Sequence, residues 1–398
     1  MSTLLASRRK PVEEVSPSPP RPPSHGSWDP RTVAVFAAMA VFVAFLVSGL
    51  LVQPLNVAFG IWFTQIFVFL GLGWIVLRAT GRDPVRYTGL FPFPGLVPVA
   101  FGFALGVVNF FAIVAPIQYV SQALLPKAWR EIYDVADIFR GQSPLEMALI
   151  VASVTLGAPV CEEFFFRGIF FQGLKSHGGP PLRMLVLSAV VFSAFHLDPV
   201  GFLARVELGV LFGWLLLRTG SLWPGILAHT ANNLVSTVLF FGAKQVESPQ
   251  EPTTRQEQLA ILLFALMGSG VLWALLSATR RFPSLLGPPR PAQVVEAPEP
   301  PVQPEPFPGL LRLALPWAFA AVLSLSAYKA LDPLGVRLSQ IDLRYPLKPV
   351  PEDAPDALQA ERKALDELRV RARRGEVPLE EYAQERARQS KQPRRDAP

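Results

Sequence analysis

Residues 33–52, VAVFAAMAVFVAFLVSGLLV, run for 20 positions without a charged side chain. An α-helix rises about 1.5 Å per residue, so about 20 apolar residues cross the roughly 30 Å hydrocarbon core of a bilayer. A cleaved signal peptide has a shorter apolar segment and a small-residue cleavage site, and this run has neither feature. The stretch therefore predicts a membrane-spanning helix.

The rest of the chain has the composition of a membrane protein. Of its 398 residues, 51% are hydrophobic and only 17% are charged, whereas a soluble domain carries about 25% charged residues. Further apolar stretches lie at 57–77, 96–125, 145–241, 259–276 and 310–331. We expect an all-α, polytopic integral membrane helix bundle with about eight or nine transmembrane helices.

Proline divides the chain. The 41 prolines are concentrated near the N-terminus and in a segment after residue 282, which is typical of linkers. The predicted segments are a disordered Ser/Pro-rich N-terminal tail at 1–30, a transmembrane bundle at 31–282 with its polar core at about 145–241, a Pro-rich linker at 283–309, an additional membrane helix at 310–332 and a charged helical C-terminal tail at 342–398.

The distribution of Lys and Arg predicts the orientation, because these residues are retained on the cytoplasmic side. Arg8, Arg9 and Lys10 precede the first span, and the arginines at 78–86 and 280–281 fall on the same side. We therefore predict a multi-pass protein with a cytoplasmic N-terminus. An odd ninth span puts the C-terminal tail outside, whereas a re-entrant helix at 310–331 keeps it inside.

Composition argues against nucleic-acid binding and excludes two kinds of cysteine site. The formal net charge of +6 is explained by these loop residues, and no basic stretch is interleaved with exposed aromatic residues. We therefore predict no nucleic-acid binding. The single cysteine, Cys161, excludes an intrachain disulfide and a Cys-rich zinc site.

Polar side chains interrupt the apolar sequence at three places, and the first is CEEFFFR at 161–167. A charged group at the bilayer centre costs roughly 2.5–3.5 kcal/mol, so its presence indicates a function. Glu163 and Arg167 are four residues apart and share a helix face, whereas Glu162 points about 100° away. An unpaired carboxylate among phenylalanines suits general acid–base chemistry. Alternatively, the pair only anchors a helix end near the headgroups.

The second and third places each carry a histidine. FSAFH at 192–196 ends an apolar helix at His196, and HTANN at 229–233 puts His229 and Asn233 on one helix face. Taken singly, the first segment is typical of an interfacial or capping group, and the second is typical of interhelical hydrogen bonding. Together with a carboxylate that activates water, they supply imidazoles and an oxyanion donor, which amide hydrolysis requires.

The three segments resemble the CAAX protease and bacteriocin-processing (Abi) family of intramembrane endopeptidases, related to the type II CAAX prenyl endopeptidases. The family signature is Glu-Glu-x-x-x-Arg, then Phe-x-x-x-His, then His-x-x-x-Asn or Asp. The matching residues are Glu162, Glu163 and Arg167; Phe192 and His196; His229 and Asn233. GSLWP at 220–224 also resembles the family's lead-in to the third motif. The resemblance covers about a quarter of the chain.

This resemblance implies a role for each matched residue. Glu162 would activate water, His196 and His229 would complete the site, and Asn233 would stabilise the oxyanion. The residues implied as structural support are Glu163, Arg167 and Phe192. Family members are described both as metalloproteases and as glutamate-dependent hydrolases without a metal.

The metal question stays open at the level of sequence. One carboxylate and two histidines form a ligand set that a divalent metal such as zinc accepts, with His196 and His229 as candidate ligands. If Glu162 were also a ligand, Glu163 would be the candidate base. We favour Glu162 as the base.

We therefore predict an intramembrane endopeptidase that cleaves a membrane-associated or lipid-modified peptide or protein near the cytoplasmic side of the bilayer. The expected partners are membrane lipid and this substrate. The alternative is a non-catalytic membrane scaffold or transporter. The span count puts His196 nearer the outer face than Glu162, and a short, tilted or broken helix would bring the two together.

The C-terminal tail shows helical periodicity at 356–368, and a second short helix is predicted after Pro378. This arrangement resembles the short C-terminal helical hairpins called SHOCT. We predict that the tail recruits a protein partner, and the alternative is a solvated helix without one.

Overall fold

The computed structural model describes residues 29–139, 142–176, 180–242, 255–287, 307–347, 350 and 354–391. Within these ranges the chain folds into helices and contains no β-strand. The prediction of an all-α helix bundle is confirmed. The predicted N-terminal tail up to residue 28 and most of the predicted Pro-rich linker lie outside the described residues.

Six helices in the described part of the chain are long and apolar enough to cross a membrane, and the protein is a multi-pass membrane protein. They are α1 (Pro30–Leu51), α2 (Val57–Ala79), α3 (Leu96–Leu124), α4 (Pro144–Lys175), α8 (Arg255–Arg281) and α9 (Phe307–Leu331). Three helices complete the bundle between α4 and α8: α5 (Pro181–Ala194), α6 (Phe202–Thr219) and α7 (Trp223–Gly242).

Helix α5 is too short to cross the bilayer. Its 14 residues extend about 21 Å, against a hydrocarbon core of roughly 30 Å. The chain turns back after Ala194 and returns as α6. Helix α5 therefore ends part of the way along the bundle. His196 lies just beyond this end and lines one cavity with Glu162, which removes the conflict in the span count.

Local sequence signals explain where several helices begin and end. Ser143 caps α4 by accepting from the Glu146 amide at 3.3 Å, and the Glu146 carboxylate accepts from the Ser143 amide at 2.8 Å. This reciprocal capping box satisfies two amide donors that the first turn leaves free. Helix α6 ends at Gly220, which has a φ of 66°, a conformation that glycine adopts without steric cost.

Helices α3 and α7 approach closely because α3 presents glycines to its neighbour. A Cβ built on Gly102 would overlap the backbone of Pro224, and one on Gly106 would overlap the backbone of Ala228. Small residues four positions apart allow helix backbones to pack directly in a membrane. This packing positions α7, and with it His229, against the rest of the bundle.

Replacing Gly106 with Ala is expected to lower the free energy of unfolding by about 1–3 kcal/mol, because the added methyl group forces α7 away from α3. Thermal unfolding of the detergent-solubilised protein measures this effect. Gly270→Ala is the matched control, since a Cβ at Gly270 meets no atom within 4 Å. Equal losses in both variants would contradict the close approach.

After α9 the chain forms a small helical unit, here called the C-terminal unit: α10 (Pro333–Arg344), α11 (Asp356–Arg373) and α12 (Leu379–Lys391). It has its own apolar core of Leu338, Leu365, Ala372 and Tyr382. Asp342 joins its helices by accepting from Arg369 at 2.9 Å and from the Tyr382 hydroxyl at 2.5 Å.

The C-terminal unit packs against the turn between α1 and α2, here called the 53–57 turn. Ser339 Oγ donates to the carbonyl oxygen of Leu55 at 2.6 Å. Since α1 starts at Pro30 and ends beside this turn, the C-terminal unit lies at the opposite end of the bundle from the start of α1. The side of the membrane on which the C-terminal unit lies stays a prediction.

Candidate active site

Glu162 and His196 line one small cavity inside the bundle. The cavity has a volume of about 80 Å³. Its other lining residues come from α1, the 53–57 turn, α2, α4 and the end of α5: Phe45, Gln53, Ile61, Thr64, Gln65, Phe69, Phe166 and Phe195. Glu162 is buried, with 7% of its surface exposed. A carboxylate and an imidazole therefore face a cavity whose other walls are four phenylalanines, one isoleucine and three polar side chains.

Gln65 is the hydrogen-bond partner of Glu162. Its Nε2 donates to Glu162 Oε1 at 3.0 Å from the neighbouring helix α2. The Gln65 Oε1 atom is buried and has no hydrogen-bond partner in the described part of the chain. The sequence analysis missed this residue because it lies outside the three motifs. The available signal was one amide side chain in the apolar run IWFTQIFVFL at 61–70.

Glu163 forms a second buried cluster, with Arg167 and His229. Its Oε1 accepts from Arg167 Nη1 at 2.9 Å and lies 3.1 Å from His229 Nδ1. All three residues are buried, and Glu163 and Arg167 are at most 1% exposed. The predicted pair between Glu163 and Arg167 is present. His229, which the resemblance grouped with Glu162, makes its direct contact with Glu163.

Phe192 lies between His196, which lines the cavity, and the buried cluster of Glu163, Arg167 and His229. Its ring centroid is 5.2 Å from that of His196 and 6.0 Å from that of His229. The Arg167 guanidinium carbon lies 4.3 Å from the same centroid, within the range of a cation–π interaction. Phe192 therefore contacts both imidazoles and the guanidinium, and the supporting role that the resemblance implies stays a prediction.

The backbone around His196 determines how its ring is presented. The His196 Nδ1 lies 3.1 Å from the carbonyl oxygen of Phe192. A carbonyl only accepts, so a neutral His196 carries its proton on Nδ1 and offers Nε2 as an acceptor. Leu197 follows with a φ of 52°. The loop is closed by Asp198, whose Oδ2 accepts from Arg205 Nη2 at 2.7 Å.

Asn233 occupies a different place. Its Nδ2 donates to the carbonyl oxygen of Val154 at 2.8 Å, and its Oδ1 accepts from Asn232 at 3.1 Å. These bonds tie α7 to α4. Asn233 is not among the residues that line the cavity with Glu162 and His196. The structure does not bring this residue to the cavity, and its oxyanion role stays a prediction.

The described side chains do not complete a metal-ligand set. In the ranges that the structure describes, no group of three or more His, Cys, Asp or Glu side chains lies close enough together to hold an ion. The contacts of His196 and His229 to Phe192 and Glu163 use Nδ1, as histidines that bind a metal through Nε2 also do. Because a third ligand is lacking, the residues as arranged do not fit a three-ligand catalytic zinc site.

The cavity lies in the half of the bundle nearest the 53–57 turn. Gln53 belongs to that turn, Ile61 follows it closely on α2, and Phe45 lies in the second half of α1. The cavity is therefore nearer the end of α1 than its start. The cytoplasmic N-terminus and the position of the site near the cytoplasmic side stay predictions.

Comparison with known proteins identifies the region that holds these residues. Residues 144–235 match a family model described as Type II CAAX prenyl endopeptidase Rce1-like. The chain is also 30% identical, over 115 residues, to a protein of Bacillus subtilis (strain 168) described as Putative membrane peptidase YdiL. That match covers 29% of this chain and 45% of the relative, so the chain spans less than half of the relative's length. No solved structure matches the chain. The predicted family resemblance is confirmed.

Proposed function

We propose that this chain, whose residues 144–235 match the Rce1-like family, is an intramembrane endopeptidase. Its substrate is a membrane-associated or lipid-modified peptide or protein. The observation that carries the proposal is the aromatic-walled cavity that Glu162 shares with His196. A buried carboxylate and an imidazole facing one small enclosure are the groups that peptide hydrolysis needs.

In the proposed reaction Glu162 acts as the general base. Gln65 occupies Oε1, so we assign Oε2 as the oxygen that accepts a proton from water. The water oxygen bonds to the carbonyl carbon of the substrate, and the bond between that carbon and the amide nitrogen then breaks. Glu162 delivers its proton to the leaving nitrogen. His196 orients the water through Nε2.

Glu163 is assigned a positioning role. Its Oε1 already contacts both Arg167 and His229. Protonation at either oxygen, including the unbonded Oε2, would neutralise the carboxylate and break the buried ion pair with Arg167. The cluster instead fixes α4 against α7 and so holds Glu162 in the cavity.

The cavity walls indicate the substrate's chemistry. Phe45, Phe69, Phe166 and Phe195 surround the carboxylate, and such a surface favours an apolar peptide segment or a lipid chain. We therefore include prenylated and other lipid-modified peptides in the proposed substrate class. The bilayer supplies the apolar surroundings in which the substrate approaches.

The proposal is tested by comparing protein N-termini in membranes of cells that carry the wild type or Glu162→Gln at equal expression. N-termini found only with the wild type support an endopeptidase and identify its substrate. Identical N-termini in both membranes would favour a scaffold or transporter. Repeating the cleavage with purified protein and a chelator tests the alternative of a divalent metal on His196 and His229.

A further inference from the structure

A second, larger cavity lies where the C-terminal unit meets the bundle. This chamber has a volume of about 170 Å³. Most of its walls are polar: Gln53, Asn56, Gln142, Glu146, Ser339, Asp342, Arg369 and Arg373. Half of these residues come from the bundle and half from the C-terminal unit. The chamber therefore exists only while the unit is docked.

The chamber adjoins the candidate active site. Gln53 lines both cavities, so this side chain is their common wall. A buried water needs roughly 15 Å³ of such volume, and the chamber has room for several. Hydrolysis consumes a water molecule. Four phenylalanines line the Glu162 cavity, whereas eight polar residues line the larger chamber. The polar chamber is the natural place from which water reaches that carboxylate.

Arg373 lines the chamber and joins the C-terminal unit to the bundle. Its Nη2 lies 2.8 Å from Glu146 Oε1 at the start of α4 and 2.7 Å from Asp332 Oδ2 at the end of α9. Asn56 also donates to Glu146 Oε1, at 2.5 Å. One guanidinium on α11 is thus joined to two elements of the bundle by charge-assisted hydrogen bonds.

Asp332 remains charged in this arrangement. Burial raises its pKa, but hydrogen bonds from the Gly335 amide, Tyr328 and Arg373 outweigh this and hold the pKa of Asp332 below its ordinary value. The carboxylate is therefore ionised at neutral pH.

We propose that the chamber is the aqueous entrance to the Glu162 cavity, and that the C-terminal unit is its roof, held down by Arg373. The assignment of the water as a reactant rests on the proposed function. The enclosure by the C-terminal unit does not, and its test needs no proteolysis. The C-terminal unit thereby controls the access of water and of hydrophilic substrate segments to the site.

The test measures the accessibility of residue 53 in the full chain. Gln53→Cys is placed in a Cys161→Ala background, so that residue 53 carries the one cysteine of the chain. Membranes permeabilised to expose both faces are then treated with a charged maleimide. We expect slow labelling in this parent and labelling that is faster by about tenfold or more with Arg373→Ala, because charge-assisted hydrogen bonds hold the roof. Arg374→Ala removes a neighbouring exposed arginine, which pairs with Glu376 at 3.7 Å, and is expected to leave the rate unchanged.

A second variant separates opening from loss of fold. Asp332→Asn keeps the size of the side chain and its capping ability but removes one charge that Arg373 contacts, so it should also accelerate labelling. Thermal unfolding confirms that both variants remain folded. Unchanged labelling rates in both variants would contradict the proposal that the C-terminal unit covers the chamber, whatever the protease assay shows. Faster labelling in both variants, together with no peptide cleavage by the wild-type protein, would support the aqueous entrance and reject the proposed reaction.

Discussion

Replacing Arg167 with Met is expected to destabilise the protein by about 3–5 kcal/mol, because it leaves the buried Glu163 carboxylate without its cation. Arg167 is 1% exposed and donates to Glu163 at 2.9 Å. In this variant His229 would still face Glu163 Oε1, but the guanidinium would be gone. The apolar Met chain recovers part of the packing over Phe192 but none of the charge. Thermal unfolding of the detergent-solubilised protein gives the effect directly.

Two controls show whether the loss comes from the orphaned charge. Arg183→Met removes an arginine that is exposed at the start of α5, and it should change stability by less than about 0.5 kcal/mol. The double variant Arg167→Met with Glu163→Gln should be more stable than Arg167→Met alone, because it removes the unpaired charge. If the double variant is the less stable of the two, the cluster is held by packing and not by charge.

Glu162→Gln is expected to lower the rate of peptide cleavage by a factor of about 10²–10⁴, the usual contribution of a general base. Gln has nearly the same shape and still accepts a hydrogen bond from Gln65, so the free energy of unfolding should change little. The measurement uses purified protein and the substrate found from the N-terminus comparison. Loss of turnover at constant stability is the signature of a residue that acts on the reacting atoms.

Glu163→Gln is the matched comparison, since it makes the same substitution one position further along α4. We expect this variant to lose thermal stability along with activity, because the buried Arg167 and His229 lose their shared partner. Full stability with lost turnover would instead make Glu163 the base. That result, together with inhibition by a chelator, would favour the metal-dependent alternative.

The sequence by itself determined the class of fold and one ion pair beside the candidate site. Apolar runs such as 33–52 are long enough to span, and a bilayer allows the backbone of such a run only a helix. The pairing of Glu163 with Arg167 also follows from the sequence, because residues four apart on a helix are neighbours. These features depend on local spacing, which a single sequence contains.

The tertiary structure decided which polar groups meet. Gln65 reaches Glu162 from a helix 97 positions earlier, and no local pattern encodes that contact. His229 contacts Glu163, and Asn233 bonds to Val154, because the glycines of α3 set the position of α7. The depth of His196 depends on where α5 ends inside the bundle.

The docking of the C-terminal unit is likewise a property of the assembled chain. The periodicity of the tail predicts its helices, but Arg373 finds Glu146 only when helices 227 positions apart meet at one end of the bundle. A long-range ion pair requires partners of opposite charge at the right distance. Several arginines in the tail have the charge to pair with Glu146, and the sequence does not show which one reaches it. Packing of the helices selects one of them.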